Sequence, residues 1–178
     1  MDITLLVFYS VLALGISFIC SILEAVVLSV PHTHIAVLQK EGKKSGELWA
    51  RLKDDDAVKP LTAILTLNTI AHTMGAAGVG SQVQTIWGEE YLTGASIILT
   101  VAVLFFSEIV PKTLGTAYWK KLVPVTGFIL RYMIKSLAFI IIPIQVLKSI
   151  LPEGGSKLVT RDDVAAIVDL GEEEGIIE

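Results

Sequence analysis

Two stretches of the chain are apolar and carry no charge at all, residues 3–23 and residues 91–107. A helix rises ~1.5 Å per residue, so about 20 apolar residues cross a bilayer core. The first stretch predicts a spanning helix over residues 3–30, closed by Pro31 and interrupted by Ser17, Ser21 and Glu24. The second predicts a span over residues 91–110 that ends against Pro111. Between them, residues 60–80 open on Pro60, a residue tolerated at a helix start. This stretch is only weakly apolar and is rich in small residues, among them Ala63, Ala71, Gly75 and Gly78. Small residues let helix backbones approach closely, so this span is expected to pack on other helices rather than on lipid.

The connections have a different pattern. Residues 32–56 are polar with apolar positions at Ile35, Leu38, Leu48 and Leu52, which predicts helical pieces on the membrane surface. Gly42 and Gly46 are expected to break them, and Asp54-Asp55-Asp56 forms an acidic turn. Residues 118–151 are apolar but contain Pro124, Gly127, Arg131, Lys135 and Pro143. Gly127, Arg131 and Lys135 share one helical face. An arginine near mid-membrane costs roughly 2.5–3.5 kcal/mol on insertion scales. A broken amphipathic helix in the interface is the cheaper arrangement, and a fourth span is the alternative. The expected fold is therefore an all-α membrane protein with three transmembrane helices plus juxtamembrane and interfacial helices.

Charge orients this arrangement. The connection between the first two spans holds six basic residues: Lys40, Lys43, Lys44, Arg51, Lys53 and Lys59. The segment from Ser81 to Glu90 holds none, and Lys112, Lys120 and Lys121 follow the third span. The positive-inside rule then places the N-terminus outside and the C-terminus in the cytoplasm, in a multi-pass plasma-membrane protein. No basic segment precedes the first apolar run, which is also too long for a signal peptide. Net charge is −4, and the acidic share is concentrated after Arg161. Thr160 and Asp163 form a capping-box-like helix start, so residues 152–178 are expected to begin an acidic cytoplasmic helical linker. A soluble domain is expected to follow it. No basic patch is dedicated to nucleic acid. The single cysteine, Cys20, excludes an internal disulfide.

Polar residues inside membrane segments are functional candidates by default. Three groups stand out: Ser17, Ser21 and Glu24 on one face of the first span; Asn68, Thr69 and His72 on the second; and Ser107-Glu108 ahead of Pro111. Carboxylate, amide carbonyl and hydroxyl are hard oxygen ligands suited to Mg²⁺, Ca²⁺ or Na⁺. Pro111 lacks an N–H, which is expected to leave the carbonyl of residue 107 free as a further ligand. The alternatives are plain ones. The hydroxyls can bond backbone carbonyls, Asn68 can join helices, Glu24 can reach water, and Glu108 can pair with Lys112 one turn on. His32, His34 and His72 have no cysteine or carboxylate at metal-ligand spacing and are expected to be surface or packing residues. No nucleophile–base pair or cofactor motif appears, so an enzyme is not expected.

The segments Phe18–Ser29, Leu65–Thr69 and above all Phe106–Gly115 (FSEIVPKTLG) carry a resemblance. The chain resembles the transmembrane domain of the CorB/CorC and cyclin M (CNNM) magnesium transporters over residues 1–150. The acidic-x-x-Pro-Lys signature around Glu108 is its most specific part. The resemblance implies a homodimer in the lipid bilayer, with a Mg²⁺ site between the spans. By motif, Ser21, Asn68 and Glu108 are the implied cation contacts, with Ser17, Glu24, Thr69 and Ser107 as further candidates. Pro111 and Lys112 enter as helix breaker and charge partner. It also implies Mg²⁺ export coupled to inward Na⁺, and a cytoplasmic CBS-pair domain after the linker. ATP would bind only in that CBS region, and this chain contains no CBS module. A membrane-embedded Mg²⁺ sensor or regulator would use the same ligands, whereas a module whose polar residues only join helices would show no cation dependence.

Overall fold

The computed structural model describes residues 2–150, and every regular element among them is helical. The expected linker, residues 152–178, lies outside the described residues. In chain order the elements are α1 (Asp2–Ser29), α2 (His32–Lys40), α3 (Lys44–Leu52), a 3₁₀ turn (Asp54–Ala57) and α4 (Val58–Trp87). A second 3₁₀ turn (Glu89–Tyr91), α5 (Leu92–Ala102), a π-helical segment (Val103–Ile109), α6 (Val110–Ser136) and α7 (Ala138–Ile150) follow. The chain divides into a compact unit through Ile141 and a second unit from Ile142, of which only the helix to Ile150 is described.

Among the described residues, two helical stretches are long and apolar enough to cross a membrane, Ile3–Ser29 and Glu89–Ser136. The second runs unbroken through α5, the π-helical segment and α6, past the expected end of the third span. Pro111 does not stop it, because the helix ahead of the proline is widened, with Val110 N–H bonded to Phe105 O five residues back. The interruption comes later, at Tyr118, whose φ of −110° and ψ of 15° put a kink inside α6. At 30 residues α4 has the length of a span but not the apolarity, a consequence of its glycines and of polar residues such as Asn68, His72 and its threonines.

The connection between α1 and α4 is helical for identifiable reasons. Pro31, extended at φ −80° and ψ 152°, starts α2. Gly42 ends it in the left-handed region at φ 67°. Gly42 N–H then bonds Gln39 O and Lys43 N–H bonds Leu38 O, a Schellman closure that consumes the orphan carbonyls. Gly46 is not the break that its identity predicts. It is buried in α3, where an added Cβ would lie 2.6 Å from the Gln39 backbone nitrogen, so its role is close approach of α2 and α3.

The core is centred on α1. Cys20, Leu23, Val26, Val27 and Val30 meet Ile35 and Leu38 of α2, Trp49 and Leu52 of α3, Ile64 of α4, and Val123 and Leu130 of α6. Trp49 is fully buried, and its indole N–H donates to the Val123 carbonyl at 2.9 Å. The outer surface of α5 and the π-helical segment is the opposite: Ile97, Ile98, Val101, Leu104, Phe105 and Phe106 are all exposed. A contiguous face of that kind is unfavourable in water and suits hydrocarbon.

Helices α1 and α4 run antiparallel at near-contact distance. An added Cβ on Gly75 would collide with Ala13 Cβ, and one on Gly78 would collide with the Tyr9 ring. On the other side of α1, a Cβ on Gly115 would lie 2.7 Å from Ala25 Cβ and 2.9 Å from Ile22 O. Gly75→Leu should therefore force α1 and α4 apart, at a cost of about 1–3 kcal/mol or more. Gly94→Leu on α5 meets nothing within 4 Å and should be nearly silent. Thermal unfolding in detergent measures both, and equal effects of the two substitutions would contradict this packing.

Candidate cation site

The α1–α4 register brings the polar residues of the two helices level. Tyr9 faces Gly78, Ala13 faces Gly75, and Ser17 meets His72, with 2.7 Å between Ser17 Oγ and His72 Nε2. One further turn down α1 and up α4 places Ser21 opposite Asn68. These two are distinguished by what they lack. Ser21 Oγ and Asn68 Oδ1 are buried, and neither has a hydrogen-bond partner among the described residues. A buried polar atom left unsatisfied costs about 1–3 kcal/mol, so these two oxygens on facing helices are candidate ligands for a further group.

Glu24 follows Ser21 by three residues on α1, and a lysine links it to Glu108. Lys112 Nζ reaches Glu24 Oε2 at 3.3 Å and Glu108 Oε2 at 3.4 Å, joining the end of α1 to the π-helical segment. All three side chains are half-buried. Glu108 thus makes the expected pairing with the lysine one turn on, and Glu24 is drawn into the same bridge instead of reaching water alone. Glu108 also lines a cavity of about 290 Å³ together with Ala13, His72 and Thr100.

The remaining candidates are placed differently. Ser17 is fully buried and its hydroxyl is occupied by His72. Ser107 is equally buried, and its hydroxyl donates to the Leu14 carbonyl at 3.0 Å, fastening the π-helical segment to α1. Thr69 is exposed and donates to Leu65 O of its own helix at 2.8 Å. His72, expected to be a surface or packing residue, stands at the polar centre. The i, i+4 spacing of Asn68 and His72 signalled this, but the carboxylate that shares its cavity comes from another helix.

The expected break at Pro111 takes another form. Val110 N–H bonds Phe105 O, five residues back, so the helix is widened ahead of the proline. An α-helical proline ring would clash with the carbonyl four residues earlier, here Ser107. Pro111 offers no N–H to the carbonyls of this widened turn. Such π-helical turns recur at functional sites.

The donor set is hydroxyl, amide carbonyl and two carboxylates, with one ammonium already between the carboxylates. Oxygen donors of this kind suit hard cations such as Mg²⁺, Ca²⁺ or Na⁺. Among the described residues, no group of three or more His, Cys, Asp and Glu gathers as a transition-metal centre would require.

Comparison of the sequence with known proteins points to a family. The cyclin M transmembrane N-terminal domain matches residues 8–178. A UPF0053 protein of Synechocystis sp. is 25% identical over 161 residues, covering 90% of this chain and 46% of that protein. The chain thus spans about half the length of the curated relative it matches. With a family match over nearly all of its length, the chain belongs to the cyclin M transmembrane N-terminal domain family.

Proposed function

We propose that this domain moves Mg²⁺ across the plasma membrane as an exporting secondary transporter, with Na⁺ as the counter-moving ion. The observation that carries the proposal is the pair of buried, unpartnered oxygens of Ser21 and Asn68 on facing helices, with Glu24 three residues after Ser21 and joined through Lys112 to Glu108. Mg²⁺ is the cargo. It binds where both orphan oxygens gain a partner and where the carboxylates supply charge. In this proposal α1, α4 and the α5–α6 stretch are the three spans. The N-terminus is outside, the C-terminus is cytoplasmic, and two copies assemble.

Lys112 defines the ion-free state. Two carboxylates that close together repel unless a cation lies between them, and the tethered ammonium fills that place. An arriving divalent ion competes with it, and an ion that leaves is replaced by it. Flux of Mg²⁺ into sealed liposomes containing the purified chain, with and without a Na⁺ gradient, tests the proposal directly. Mg²⁺-dependent stabilisation without flux would support instead a membrane-embedded sensor that binds the ion and does not pass it.

Substitutions separate a ligand from helix glue. Asn68→Ala removes a buried acceptor that the ion-free fold leaves unsatisfied, so ion-free thermal stability should stay level or rise. The Mg²⁺-induced stabilisation, about 2.7 kcal/mol at a hundredfold excess over Kd, should shrink sharply. A helix-joining asparagine would behave the other way, losing stability with or without Mg²⁺. Glu108→Gln keeps an oxygen and removes a charge, and it should weaken the Mg²⁺ response further.

Lys112→Gln removes the competing ammonium, so half-maximal stabilisation should need less Mg²⁺. A higher requirement would mean that Lys112 positions the carboxylates instead of competing for them. For topology, Gln84→Cys should be modified by a membrane-impermeant thiol reagent applied outside intact cells. Modification only after lysis would reverse the proposed orientation.

A further inference from the structure

Away from the cation site, three helices converge on a basic cavity of about 540 Å³. Lys44 and Arg51 of α3, Lys59 of α4 and Arg131 of α6 line it, against one carboxylate, Glu47. All four cations are exposed. None of the four has an ion pair among the described residues, whose ion pairs lie elsewhere. Like charges are held this close because α3 is fastened to α6. The Trp49–Val123 hydrogen bond and the contact of Trp49 with Gly127 leave Arg131, one turn beyond Gly127, beside Arg51. Lys44 and Lys59 stand in the first turns of α3 and α4, neither of which has a side-chain cap. The positive ends of both helix dipoles therefore add to the same field.

The cavity is not purely polar. Leu48 and Ile134 form an apolar wall. At the same level of α6, and two turns farther along α4 at Leu67, lies a cavity of about 450 Å³ that is lined also by Phe128, Tyr132 and Met133 and is almost wholly apolar. Inorganic phosphate would use the cations and leave these walls to water. An amphiphile uses both. Basic pockets between membrane helices on the cytoplasmic side suit phosphate head groups, and the basic connections place this end of the helices at that leaflet.

We propose that the cavity formed by Lys44, Arg51, Lys59 and Arg131 binds the phosphate of an anionic glycerophospholipid, with an acyl chain lying along the apolar α4–α6 surface. The site is separate from the Glu24–Lys112–Glu108 bridge, so it stands or falls independently of Mg²⁺ transport.

The test uses the whole chain purified in a non-ionic detergent, with dioctanoyl phosphatidylglycerol, dioctanoyl phosphatidylcholine and inorganic phosphate as probes. Binding is followed by native mass spectrometry and by thermal shift. Phosphatidylglycerol should bind about tenfold more tightly than phosphatidylcholine or more, and the preference should fall with salt. Arg51→Gln with Arg131→Gln should abolish that preference, while Lys120→Gln with Lys121→Gln, outside the cavity, should leave it intact. Lys44→Gln with Lys59→Gln removes the other two cations and keeps the test decisive if the first pair does not fold. Three results would overturn the proposal. They are an unchanged preference in both cavity variants, an equal loss in the Lys120/Lys121 control, and competition by inorganic phosphate as effective as that by the lipid.

Discussion

Close approach of α1 and α4 is the constraint on which the other features rest. In hydrocarbon there is no hydrophobic drive to press two helices together, so their association depends on packing and on polar contacts. Here the α4 backbone packs directly on α1 side chains: Gly75 against Ala13 and Gly78 against the Tyr9 ring, with no space for even a methyl group. That contact fixes a register along the whole pair. Ser17 then meets His72, and one turn farther Ser21 and Asn68 come level with oxygens that no neighbour satisfies. A looser pairing would let water or rotamer changes satisfy those oxygens, and the donor set would disperse.

The third wall is organised by a different device. The π-helical segment carries both Ser107 and Glu108. Ser107 is spent on the Leu14 carbonyl, which holds this segment against α1, while the adjacent Glu108 stays available for Lys112. One residue anchors and the next carries charge. The widened turn lets two adjacent positions serve these two tasks while Pro111 is accommodated behind them. Buried hydroxyls that tie helices, at Ser17 and Ser107, are thus distinct from the buried oxygens that remain open, at Ser21 and Asn68.

Much of the helical layout was legible because its causes are local. Uncharged apolar runs, Pro31 and Gly42 mark α1 and the end of α2 in the chain itself. Gly46 was misread as a break because the cause of its presence is a contact with α2, invisible in a local window. The length of the α5–α6 stretch was hidden by Pro111, which looks like a stop until the turn ahead of it is seen to widen. At the site, residue types on one helical face were enough to nominate Ser21, Asn68, Glu24 and Glu108. Which hydroxyls were already engaged depended on partners 55 and 93 residues away in the chain, and no spacing rule reports those. His72 was named with Asn68 on one face of its span, but its partner Ser17 on α1 was not legible for the same reason.

The Trp49–Val123 hydrogen bond gives the assembly an uneven stiffness. It joins the connection between α1 and α4 to α6 at the end where the apolar core is densest, so three long helices are bound there by one buried indole. At the other end α1 and α4 are held by close packing, Gly75 on Ala13 and Gly78 on the Tyr9 ring. The polar centre at Ser17 and His72 lies between these two unlike holds. Widening it therefore means either parting the Gly75–Ala13 contact or turning α6 about the Trp49 strut.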